Sequence, residues 1–201
     1  MTFHNLRIWL LTLTTLLFFN CATFKTTIKE TEPINQNDTE PALKVYMIGG
    51  VGLLENGTAP AALQALENEI KNSNKRDLLL FLGDNVYPKG IPNSDGPEKQ
   101  DAELALSLQI DVAKKFKGRV IFIPGDKDWN SGVSGLKQQE KLVENGLGKN
   151  TFLPENGCPI KKVKINDDTI LLVIDSQWYI TNWDRHPSIN DKCEIKTRTD
   201  F

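Results

Sequence analysis

Leu78-Leu79-Leu80-Phe81-Leu82-Gly83-Asp84-Asn85-Val86-Tyr87 opens with an unbroken apolar run and stops at a glycine and an aspartate. A run with no polar alternation is what a strand covered on both faces looks like, so this segment belongs inside a sheet. Two other runs share its build: Lys44-Val45-Tyr46-Met47-Ile48 ends at Gly49-Gly50-Val51-Gly52, and Arg119-Val120-Ile121-Phe122-Ile123 ends at Pro124-Gly125-Asp126. Helical patterns separate them. Leu63, Leu66 and Ile70 share one helical face after the first run, and Leu104, Leu108, Val112 and Phe116 recur at fourfold spacing after the second. A more polar helix candidate, Leu136 to Leu147, follows the third. Strands alternating with helices imply an α/β fold, a layered β-sheet domain with helices packed on it and parallel strands in its first half. Further on, Lys161 to Ile165 and Thr169 to Ile174 flank Asn166-Asp167-Asp168, which reads as a hairpin.

In α/β sheets ligands sit outside the carboxyl ends of the strands, and here every strand ends in Gly, Asp or Ser. Glycine lets the backbone come close to a ligand, and aspartate brings charge to the same edge. Those ends, with Asp84 and Asp126 among them, are therefore the candidate active site. Residues there have plainer readings too: turn chemistry for Asp84 and Asp126, loop packing for Tyr87, a solvated surface side chain for Lys127. Trp129, Trp178 and Trp183 are either cleft or core residues by the same reasoning.

The 201 residues hold 24 Lys and Arg against 26 Asp and Glu, with 39% hydrophobic and 25% charged side chains. That balance suits one well-buried core and lacks the basic excess with which nucleic-acid binders displace counterions, so no nucleic-acid partner is expected. No repeat of fixed period is present, which removes solenoids and propellers.

Residues 1–20 carry Arg7 and then the apolar run Ile8 to Phe19. Twelve helical residues span roughly 18 Å, short of roughly 30 Å of hydrocarbon, so the segment reads as a signal peptide rather than a permanent anchor. Cys21 directly after it resembles a bacterial lipoprotein signal, in which that cysteine becomes the lipidated first residue. The expected location is the bacterial cell envelope, on the membrane through Cys21, with plain secretion as the second reading. Removing residues 1–20 takes away Arg7 and His4 and leaves His186 as the single histidine. Residues 21–42, rich in Thr, Glu, Asn and Pro, read as a flexible tether. The domain proper is expected over 43–201.

The run Gly83-Asp84-Asn85-Val86-Tyr87 resembles the GDxxY motif of calcineurin-like metallophosphoesterases, in the version found in purple acid phosphatases. Gly49-Gly50-Val51-Gly52 stands where that family has GDxG, and Gly125-Asp126-Lys127-Asp128-Trp129 where it has GNHD or GNHE. The three stations come in order, each closing a strand, and the resemblance covers Lys44 to Ser176. It implies hydrolysis of a phosphate ester at a centre of two divalent or mixed-valence ions, iron, manganese or zinc. Asp84 would bridge the ions, Tyr87 would bind one as phenolate, Asp126 would bind the other, and Lys127 would contact the phosphoryl group.

This chain departs from the family pattern in three places. Gly50 supplies no ligand, Lys127 replaces a histidine, and the later histidine motifs have no counterpart. Asp84 and Tyr87 on one ion, Asp84 and Asp126 on the other, fall short of the three or four protein ligands that zinc sites keep. Glu194 to Phe201 show no helix stop, so the domain is expected to be incomplete at its C-terminus. The competing expectation is a non-catalytic envelope lipoprotein that keeps the fold as a binding or structural module. With Cys21 lipidated, Cys158 and Cys193 remain, and an exported pair in an oxidising compartment is expected to form a disulfide.

Overall fold

Val45–Ile48 (β1), Leu78–Phe81 (β2) and Arg119–Phe122 (β3) form a parallel sheet in the order β1-β2-β3 in a computed structural model, which describes residues 40–181 and 192–200. The segment read as a signal peptide, Cys21, most of the segment read as a tether, Trp183 and His186 lie outside the described residues. Helix Ala61–Glu69 (α1) connects β1 to β2, and Pro97–Ala113 (α2) connects β2 to β3. Gly132–Leu147 (α3) follows β3. The chain then returns alongside β3, where Phe122 N donates to Thr151 O at 2.7 Å and Leu153 N to Phe122 O at 2.8 Å. Ile160–Lys164 (β4) and Ile170–Ile174 (β5) form an antiparallel hairpin, closed by Ile165 N donating to Thr169 O, and Ser176–Ile180 (α4) follows.

All four residues of β2 are buried, as its unbroken apolar run requires. Side chains alternate across a strand, so β2 serves two cores at once. Leu79 and Phe81 join the helix-side cluster with Leu63, Leu106, Leu136 and Phe122, while Leu78 and Leu80 pack with Ile121, Leu153, Val163 and Val173 on the hairpin side. The sheet is thus covered by helices on one face and by the hairpin on the other. Phe81 and Phe122 stack at 4.0 Å between centroids, tying β2 to β3 on the helix side.

Helix α2 differs in detail from the sequence expectation. Val112 and Phe116 are buried as expected, but Leu104 is 42% exposed, and the rest of the buried face runs through Ala102, Ala105, Leu106, Gln109, Ile110 and Ala113. Three alanines and a glutamine allow close approach of the helix, and large apolar spacing alone does not reveal that face. Gln109 is buried because its amide has work at the strand-end turn: Nε2 donates to Asn85 O at 2.6 Å and to Ala105 O at 3.1 Å. No described helix is long and apolar enough to cross a membrane.

Candidate functional site

The turns after β1, β2 and β3 meet at one edge of the sheet. Gly50 N donates to Gly83 O at 3.0 Å, Gly52 N to Asp84 O at 3.0 Å, and Tyr87 N to Gly52 O at 3.2 Å. Gly83 takes φ +99°, and Asp84 follows at φ +52°, a left-handed conformation that aspartate tolerates better than most residues. The third turn presses against the second. A Cβ on Gly125 would lie 2.5 Å from both the nitrogen and Oδ1 of Asp84, so only glycine permits this approach.

Asp128 holds the second and third turns together. Its side chain is fully buried, with Oδ2 accepting from Gly125 N at 2.7 Å, Asn85 N at 3.2 Å and Asn85 Nδ2 at 3.3 Å. Oδ1 accepts from Val86 N at 2.9 Å. Burial pushes its carboxyl up to about 7, against the opposing pull of these backbone donors. Asn85 Nδ2 also donates to Ile123 O at 2.9 Å, and Gln139 Nε2 donates to Asp128 O at 3.2 Å. Asn85 Oδ1, Gln109 Oε1 and Gln139 Oε1 are buried with no partner among the described residues.

Around this scaffold the structure gathers all four sequence-named residues. Asp84 is partly buried, and its Oδ1 accepts from Lys127 N at 3.3 Å. Lys127 Nζ pairs with Asp126 Oδ2 at 2.5 Å. That bond first, then the charge of the lysine, holds the Asp126 carboxyl below the usual range, and a further hydrogen bond with Asp84 acts in the same direction. Asp126, by hydrogen bond and charge, raises Lys127, and the charges of Asp84 and Tyr87 add to it. Tyr87 is 44% exposed. Gly50 lies at the same edge with φ +67° and no heavy atom within 4 Å of the position a Cβ would take.

The cluster is two carboxylates, one phenol and one ammonium. Among the described residues no group of three or more His, Cys, Asp or Glu side chains is placed to hold a metal ion. The ammonium of Lys127 already neutralises Asp126, where a cation would have to bind. This donor set does not fit two metal ions.

Sequence reasoning missed the buried residues behind the cluster. Asp128 lies two positions after Asp126, and only tertiary burial separates their roles. Asp175, at the end of β5, accepts from Trp129 Nε1 at 2.8 Å through Oδ2, and its Oδ1 caps α4 by accepting from Gln177 N and Trp178 N. Burial pushes it up to about 6. Trp129 and Trp178 are 3% and 0% exposed, so both are core residues and line no cleft. Cys158 and Cys193 form a disulfide with Cα atoms 5.5 Å apart. Compared with known proteins, the chain matches no family model, and no solved structure matches it significantly.

Proposed function

We propose that this chain is an exported, lipid-anchored domain of the metallophosphoesterase type that binds a phosphate ester at the carboxyl ends of its parallel strands without turning it over. The observation that carries this reading is the convergence of Asp84, Asp126 and Lys127 from consecutive strand ends onto glycine turns packed against each other. Lys127, one third exposed, is the cation available to a phosphoryl oxygen, exchanging Asp126 for the ligand. Cys21 would supply the lipid anchor, placing the site in the cell envelope.

Hydrolysis at a two-metal centre is the reaction the resemblance implies. The binding-module reading is favoured over it because an ammonium stands where the second ion would, and because Gly50 and Lys127 bring no ligand.

Elemental analysis after dialysis against iron, manganese and zinc tests this, with Asp84→Ala and Gly50→Asp alongside. The expected result is background metal in the wild type and a gain in Gly50→Asp, whose new side chain has open space and a modest backbone strain of about 1 kcal/mol. Two equivalents in the wild type, lost in Asp84→Ala, would restore the hydrolase reading.

A further inference from the structure

A cavity of about 460 Å³ opens beside the strand-end cluster, and Tyr87 belongs to both. Its apolar lining includes Leu53, Tyr87, Pro88 and Ala102; its polar lining includes Glu98 and Asp101 from the first turns of α2. The volume is that of a small-molecule site. Leu53 and Tyr87 are 54% and 44% exposed, an unusual amount of large apolar surface to leave facing water within one concavity. Neither Glu98 nor Asp101 is paired with a basic side chain among the described residues; the neighbouring Lys99 is held by Asp95 at 2.8 Å, and Lys89 lines the cavity without an ion pair.

The charge of the strand-end cluster says why such a cavity matters. Asp84, Asp126 and Lys127 sum to −1, which does not by itself hold a phosphate dianion, so affinity has to come from the rest of the ligand. We propose that the cavity takes a flat ring bearing N–H donors, the chemistry of a nucleobase, carried by the phosphate ester that meets Lys127. Tyr87 offers a face for stacking, worth about 1 to 3 kcal/mol for a base on an aromatic ring. The carboxylate oxygens of Glu98 and Asp101 accept hydrogen bonds, so they select a ring edge that donates, such as the adjacent N–H groups of guanine, over one that only accepts. The inference rests on the phosphate-ester reading for the position of the phosphoryl group, while the ring site stands on the cavity alone.

Calorimetric titration of the full chain with guanosine and with guanosine 5′-monophosphate separates the two. Guanosine is expected to saturate. Leu53→Arg at the exposed rim and the pair Glu98→Gln/Asp101→Asn should each weaken it tenfold or more, with unchanged urea midpoints certifying the fold. Lys127→Ala should leave guanosine binding intact and abolish any advantage of the monophosphate. Guanosine that fails to saturate, or that binds Leu53→Arg as well as wild type, overturns the cavity proposal even if the monophosphate still binds through Lys127. Guanosine binding with no gain from the phosphate keeps the ring site and removes the phosphate-ester reading.

Discussion

Replacing Asp128 by alanine removes the one acceptor shared by two turns. Gly125 N, Asn85 N and Val86 N lose their partner, and Asn85 Nδ2 keeps only Ile123 O. An orphaned buried donor costs about 1 to 3 kcal/mol, and three in one spot relax together rather than add, so the expected loss is about 3 to 5 kcal/mol. Against a total stability of about 5 to 15 kcal/mol that is a large share, and for a domain of this size it lowers the melting temperature by roughly 10 °C. The control is Asp126→Ala, two residues away. Its side chain is 55% exposed and its ion pair with Lys127 is a surface one, so the change should stay within about 0.5 kcal/mol. Urea unfolding at neutral pH, followed by tryptophan fluorescence, reads both, with the slope m unchanged if only stability moves. Trp129 and Trp178 are buried and supply the signal. If Asp128→Ala is no more destabilising than Asp126→Ala, then the buried carboxylate does not organise the turns and the account of the strand-end edge fails.

Gly125→Ala places a methyl group 2.5 Å from the Asp84 nitrogen and Oδ1, so it should cost about 1 to 3 kcal/mol and displace the Asp84 turn; amide shifts of Asp84 and Lys127 that stay at their wild-type values would contradict it. Cys158→Ser with Cys193→Ser opens a bridge spanning 35 residues and should lower stability by roughly 3 to 4 kcal/mol in the chain-entropy model, read as a urea midpoint. Stability should also fall as pH rises from about 4 to about 7. Burial holds Asp128 at about 7 and Asp175 at about 6, above the 3.8 of a free aspartate, so the folded chain keeps protons that the unfolded chain has already released. The decline should amount to a few kcal/mol and level off above about pH 7, and Asp128→Ala should flatten it. A urea midpoint that climbs steadily across this range in the wild type argues against both raised carboxyls.

How much of this could be read beforehand depends on the residue. The strand runs, the parallel start of the sheet and the hairpin follow from apolar patterning, which is local and survives without knowledge of partners. Asp84 and Asp126 could be named because they close strands, and a strand end fixes where a side chain emerges; Tyr87 and Lys127 entered only through the motif resemblance. Leu104 misled because a helix held close by alanines buries small residues, whose spacing carries little hydrophobic signal.

The sequence by itself determined the order of strands and turns, the placement of charge at one edge, and the presence of a cysteine pair beyond Cys21. Tertiary structure decided which aspartate is which. Asp126 and Asp128 share a pentapeptide, yet one faces water against Lys127 and the other is sealed among four donors from two turns. That division depends on the β2 turn, more than 40 residues upstream, coming to rest against Gly125, and on Gln109 reaching it from α2. Burial and hydrogen-bond partners are properties of packed neighbours, and no spacing rule within a single segment contains them.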